Sequence, residues 1–188
     1  MIKAIETVYD GYRFRSRLEA RWAVFFKTLG IPYKYEKEGY DLDGTYYRPD
    51  FWLPEQKCWI EIKGQHPTNE EHKKCELLTE LTQSKVFILF GNIPNPDNLP
   101  ESLSEHKDFG NMCYAYGLWG DEQPYNCYSS YCLWSDCWEC NKLMIRDYEY
   151  GGGWCCQSYP GANPKSDRLI KAYTAAGQAR FEHGENGR

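Results

Sequence analysis

The chain reads as a mixed α/β (α+β) protein whose first half runs helix, three-strand meander, helix, parallel strand. Three observations carry that reading. A helical apolar pattern opens the series and three β-like runs follow it. A second helical pattern, with its own cap, comes next. A continuous apolar run, Lys85 to Phe90, closes the series and suits a strand buried on both faces. Reached through a crossover helix, that run lies parallel to the strand before it. With 188 residues and 41% hydrophobic content, the chain can bury a core as one domain, or one domain plus a small module.

Arg13 to Leu29 is the first predicted helix. Phe14, Leu18, Trp22, Phe25, Phe26 and Leu29 recur close to helical spacing. Ser16 and Glu19 form a capping-box pattern, Gly30 suits the residue after the helix, and Pro32 prevents continuation. Arg13, Arg15, Arg17 and Arg21 crowd its first turns, where cations oppose the helix dipole and a nearby phosphate would offset them. Two readings of Glu19 stand side by side: a cap or ion pair, or a carboxylate delivered to a site.

Residues 31–42 read as the first strand, and Asp43-Gly44 as a hairpin turn. The strands 46–53 and 57–64 follow, with Pro49 marking an edge or a bulge. If Glu55-Gln56 is the loop between them, Asp50 lies across from Glu61, about 5 Å away. Glu61 and Lys63 then share one face, while Phe51, Ile60 and Ile62 share the other. Facing carboxylates repel unless a cation separates them, and a hard divalent ion such as Mg²⁺ (or Mn²⁺) is the natural filler. The plain alternative is a solvated strand pair with an ordinary Lys–Glu contact. Thr68 and Glu71 cap the second helix, with Cys75, Leu78, Leu81 and Thr82 as its inward stripe.

Residues 92–112 begin with a Pro- and Asn-rich loop and are expected to link a core of residues 1–91 to a Cys-rich module of residues 113–165. Residues 166–188 supply a last helix, Ser166 to Glu182, and a tail. The formal charge of −5 lies wholly after residue 91, so any polyanion binding must come from a local patch. No signal peptide and no membrane span are expected, and thiol-rich composition without a leader points to a cytoplasmic, intracellular protein. Either a monomer or an oligomer is compatible with the composition.

Ser16-x-x-Glu19 on a helix, then Pro49-Asp50, then Glu61-Ile62-Lys63, resembles the PD-(D/E)XK nuclease superfamily over roughly residues 12–91. The opening helix resembles that of its transposase-endonuclease and very-short-patch-repair branches. The Cys-rich part and the stretch 179–184 are similar to a phage and bacterial subgroup. The resemblance implies a restriction-endonuclease-like αβββαβ core with a mixed sheet, and metal-dependent phosphodiester hydrolysis by a DNA endonuclease or nickase. It implies that Asp50, Glu61 and the Ile62 carbonyl bind Mg²⁺ with help from Glu19, and that Lys63 holds water and steadies charge. Arg15, Arg17, Arg21 and Arg48 are the candidate phosphate contacts, Arg48 standing opposite Lys63 in the expected register. An RNA-directed nuclease and a non-catalytic nucleic-acid-binding or interaction protein on the same fold are the alternatives.

Seven of nine cysteines follow residue 112. Cys137 and Cys140 form a CxxC knuckle that, with Cys155 and Cys156, resembles a zinc ribbon holding structural Zn²⁺. Adjacent cysteines ligate one ion poorly, so Cys132 or Cys127 can replace one of them; reduced thiols or a disulfide are the alternative. Cys58 and Cys75 read as small buried hydrophobes.

Overall fold

The chain's structure, a computed structural model, describes residues 5–101, 113–119, 123–127, 132–147 and 162–181. Its elements are β1 (Thr7–Tyr9), β2 (Tyr12–Phe14), α1 (Arg17–Thr28), β3 (Lys34–Tyr35), β4 (Tyr40–Leu42), β5 (Thr45–Tyr47), β6 (Phe51–Leu53), β7 (Cys58–Lys63), α2 (Asn69–Thr82), β8 (Lys85–Phe90), β9 (Cys113–Trp119), β10 (Gln123–Cys127), β11 (Cys132–Cys137), β12 (Leu143–Asp147), β13 (Ala162–Asn163) and α3 (Asp167–Gln178). This is a mixed α/β protein of the α+β class.

The central sheet has the order β10-β9-β8-β7-β6-β3. β6 and β7 pair antiparallel with Phe51 opposite Ile60 and Leu53 opposite Cys58, the register expected from the hairpin. Residues 54–57 make the turn, with Lys57 in the left-handed region. β8 runs parallel to β7 from Cys58–Lys85 to Lys63–Phe90, as the crossover through α2 requires. Residues of β7 and β8 alternate between two apolar layers. Ile60, Ile62, Phe87 and Leu89 join the layer of α1 and α3, while Trp59, Val86 and Ile88 join Cys75 and Leu78 of α2. Both sheet faces are covered, which explains the continuous apolar reading of β8.

Several boundaries differ from expectation. α1 begins at Arg17, because residues 12–14 form β2 and Ser16 takes the N-cap, its hydroxyl accepting from the Glu19 N–H. The run 31–42 is broken into β3 and β4, and β4 pairs with β5 in a hairpin outside the central sheet. Its Asp43-Gly44 turn has both residues at positive φ, 51° and 84°, the type I′ requirement. The run 46–53 is broken at Arg48-Pro49-Asp50, since proline cannot donate to a ladder. Leu81 is exposed; the buried stripe of α2 is His72, Cys75, Leu78 and Thr79. α3 ends at Gln178 rather than Glu182.

The expected division at residues 92–112 does not separate two cores. β9 pairs antiparallel with β8 and β10 with β9, so these two strands extend the same sheet, while β12-β11-β13 form a sheet of their own. Trp134 of β11 packs against Phe25 and Phe26 of α1, and Tyr173 of α3 lies 4.6 Å from the Phe25 ring. Among the described residues no helix is long and apolar enough to cross a membrane. Phe25 is fully buried where α1, β11 and α3 meet. Phe25→Ala is therefore expected to lower stability by about 3–5 kcal/mol, read as a shift in urea midpoint, with Phe25→Leu costing clearly less.

Candidate functional site

The break before β6 places Asp50 at the end of the ladder, against the C-terminal half of β7. Asp50 and Glu61 are 2% and 4% exposed, so both carboxylates are removed from water. Asp50 Oδ2 accepts the Ile62 N–H at 2.7 Å, and the Asp50 N–H reaches Glu61 Oε2 at 3.4 Å. Burial, then the nearby Glu61 and Glu19 carboxylates, push the Asp50 pKa well above the usual range; Ile62 and Arg15 pull the other way. Ile62 presents its N–H to Asp50 past the end of the β6 ladder, and its carbonyl leaves β7 on the same edge.

Lys63 stands on the α2 side of the sheet. Its Nζ lies 2.9 Å from Glu61 Oε1 and 3.0 Å from Glu71 Oε1. Burial opposes its charge, but Glu61 and Glu71 outweigh it, and its pKa is raised. Glu71 is held by the capping box of α2, where Glu71 Oε2 accepts from the Thr68 N–H at 2.8 Å. The sequence pattern marks Glu71 only as a cap; its second oxygen makes it the far anchor of Lys63.

Glu19 serves the cap of α1. Its Oε1 accepts from the Ser16 hydroxyl at 2.6 Å, and its Oε2 from the Tyr35 hydroxyl at 2.6 Å and the Arg15 N–H at 3.1 Å. It adds its charge to the Asp50 environment from that position. Among the described residues no three His, Cys, Asp or Glu side chains form a group set to hold a metal. Asp50 and Glu61 form a pair, and Mg²⁺ commonly takes one or two carboxylates and keeps its waters. Two crowded, desolvated carboxylates fit that ion.

Of the four candidate arginines, two reach the site. Arg15 Nη2 lies 2.6 Å from Asp50 Oδ1 and its Nε 2.9 Å from Glu36 Oε1. Burial works against its charge, but Asp50 and Glu36 outweigh that and raise its pKa. Arg48 lies in the strand break, not in a ladder opposite Lys63; it contacts Glu36 at 3.6 Å and donates to the Tyr46 hydroxyl at 2.7 Å. Arg21 turns away, its Nε donating to the Ala179 carbonyl at 3.3 Å past the end of α3. Arg17 is half-buried on α1 and does not line the cleft. That cleft, about 440 Å³, is lined by Arg15, Glu36, Tyr46, Tyr47, Arg48, Glu61, Lys63, Glu71 and Lys74.

Glu36 carries no signal in the sequence pattern, yet it belongs to the site. It sits at φ 44°, unusual for glutamate, and its N–H donates to the Asp50 carbonyl at 2.8 Å. Tyr47 meets Glu61 through its hydroxyl; burial, then Cys75 and Glu61, push its pKa well up. Cys58 and Cys75 are buried thiols, and burial raises Cys58 to about 12. Cys137 is buried and Cys140 exposed at the β11–β12 turn. Cys155 and Cys156 lie outside the described residues, as do the side chains of Cys127 and Cys132.

The Lys63–Glu71 contact has a defined acid dependence. Burial raises the Glu71 pKa, but Thr68 and Lys63 outweigh it, so the folded value lies below the unfolded one. The contribution is present above about pH 4.3 and is lost as pH falls through the folded value. Glu71→Gln is expected to cost on the order of 1 kcal/mol at pH 7 after solvent screening, and the difference from wild type to shrink toward pH 3, measured by chemical denaturation.

No protein-family model, no curated protein and no solved structure matches this chain.

Proposed function

We propose that the chain is a Mg²⁺-dependent nuclease of the PD-(D/E)XK kind, cutting or nicking DNA, on a restriction-endonuclease-like core formed by α1, the meander β3-β6-β7, α2 and β8. The observation that carries this reading is the convergence of Asp50, Glu61 and Lys63: Glu61 and Lys63 line one cleft, and Asp50 is buried beside Glu61, its N–H 3.4 Å from Glu61 Oε2. The two carboxylates are buried against each other and the lysine is held charged beside them. A solvated strand pair would leave those carboxylates in water.

Asp50 and Glu61, with the Ile62 carbonyl, would hold the ion, which when bound supplies Lewis-acid stabilisation and a more acidic water. Lys63 acts as a fixed cation rather than a free base, because its carboxylate neighbours raise its pKa. Its Nζ is positioned to orient water and to balance charge growing on a phosphate. Arg15 and Arg48, tied through Glu36, offer guanidinium groups to phosphate oxygens at the same cleft. Glu19, Tyr35 and the Arg15 N–H lock the start of α1, which fixes where Arg15 leaves the backbone.

Supercoiled and linear DNA, single strands and RNA, incubated with Mg²⁺, Mn²⁺ or EDTA, test the reading. Metal-dependent cleavage is expected, with Asp50→Ala and Lys63→Ala each lowering it by at least about 100-fold. Cleavage that survives both substitutions would falsify the site assignment. Independently of turnover, Mg²⁺ at about one hundred times its Kd is expected to stabilise the folded chain by about 2.7 kcal/mol, and Asp50→Ala to remove that gain.

As part of the same reading, the turn carrying Cys137 and Cys140 would supply two thiolates to a structural Zn²⁺. The Asn141 N–H donates to the Cys137 carbonyl, which brings the CxxC segment back on itself. Metal analysis of reduced protein is expected to find about one zinc per chain, lost on Cys137→Ser.

A further inference from the structure

The β4–β5 hairpin beside the cleft carries a side chain that metal and phosphate chemistry do not use. Tyr46 is 66% exposed, the most exposed large hydrophobic side chain among the described residues. Its position is nevertheless fixed. The hydroxyl end of the ring lies over Gly39, where an added Cβ would collide with the hydroxyl oxygen. A residue with a side chain at 39 would therefore move the ring. Arg48 Nη2 donates to the same hydroxyl at 2.7 Å, and the guanidinium carbon lies 5.6 Å from the ring centroid. Tyr47, one step along the strand, faces inward to Glu61. The hairpin thus presents one tyrosine to the acidic pair and the next to solvent, both at the wall of the same cleft.

The charge around the cleft narrows what Tyr46 meets. Four cations, Arg15, Arg48, Lys63 and Lys74, face three carboxylates, Glu36, Glu61 and Glu71. All four already stand in ion pairs, Arg48 with Glu36 at 3.6 Å and Lys74 with Glu70 at 2.6 Å. A protein that tracks a duplex through its phosphates makes roughly six to ten such contacts, and this wall does not offer them. Proteins that bind unpaired strands combine fewer phosphate contacts with aromatic faces on which bases stack. A tyrosine pinned at its hydroxyl end gives a rigid contact area at low entropic cost.

We propose that Tyr46, seated on Gly39 and braced by Arg48, is a stacking platform for an unpaired base beside the phosphate that enters the cleft. The substrate class is then nucleic acid with a single-stranded or locally unpaired segment, rather than continuous duplex. The proposal rests on the nuclease reading for any cleavage after binding, but the binding itself is measurable without turnover.

Fluorescence anisotropy in EDTA, with a labelled mixed-sequence oligonucleotide as single-stranded DNA, as single-stranded RNA and as duplex DNA, tests it. Wild type is expected to bind a single strand more tightly than the duplex. Tyr46→Ala is expected to weaken single-strand binding about tenfold and to leave duplex binding unchanged, while Tyr46→Phe, which keeps the ring but loses its hydroxyl brace, weakens it clearly less. Gly39→Ala, which displaces the ring without deleting it, is expected to weaken single-strand binding in the same direction. Circular dichroism melts of each variant establish that it is folded, and Tyr46→Leu, which removes the aromatic face but keeps apolar bulk, keeps the test open if the alanine variant is not. No single-strand binding by wild type, equal loss on single strand and duplex, or a Tyr46→Leu variant that binds like Tyr46→Phe, overturns the proposal. Tyr46-dependent binding without metal-dependent cleavage would sink the nuclease reading and leave the platform standing. Cleavage with Tyr46-independent binding would do the reverse.

Discussion

The burial of Asp50 against Glu61 is the constraint on which the surrounding structure turns. A carboxylate withdrawn from water is costly unless hydrogen bonds and opposite charge replace its hydration. Here the replacements come from two separate segments, the Ile62 N–H of β7 and the Arg15 guanidinium before α1, while the Glu36 N–H after β3 holds the Asp50 backbone carbonyl. The strand is broken between Tyr47 and Phe51, so the edge of β7 beyond Ile60 is not covered by a ladder continued through Arg48. The broken strand is thus what opens a site at the end of the sheet.

The compensation is incomplete, and that is informative. Asp50 remains pushed well above the ordinary carboxylate range even with Arg15 beside it. With a folded value above the unfolded one, its contribution to stability is greatest below the unfolded pKa and declines as pH rises through the folded value. A chain that keeps this arrangement carries an acid that costs stability at neutral pH. Glu36 in the left-handed region, hydrogen-bonded to the same backbone, adds to that cost.

Much of this was legible because it is local. The Ser16 N-cap, the Thr68–Glu71 capping box, the Asp43-Gly44 turn and the β6–β7 register each depend on residues a few positions apart. The β1–β2 hairpin was legible too and was missed: Asp10-Gly11 between Thr7-Val8-Tyr9 and Tyr12-Arg13-Phe14 is the same turn signal. What pattern reading could not supply is long-range. Nothing near Glu36 says that its two oxygens meet Arg15 and Arg48, and nothing near Arg21 says that it reaches Ala179, far along the chain. The aromatic residues after 112 show no period that assigns β9 to the edge of β8, because partners in a sheet are chosen by the whole fold.

That long-range wiring changes what the second half of the chain does for the site. α3 and β11 pack on α1 through Tyr173 and Trp134, and Arg21 ties α1 to the end of α3. α1 in turn fixes Ser16 and Glu19, and with them the point from which Arg15 reaches Asp50. A bidentate or bridging arginine is useful only when its backbone is held, because a misplacement of about 1 Å is enough to lose most of the benefit of orientation. The later half therefore contributes to the cleft as the clamp on α1, without placing a described side chain in it. A fragment ending at residue 91 would leave the face of α1 that carries Trp22 and Phe25, covered here by Tyr173 and Trp134, open to water.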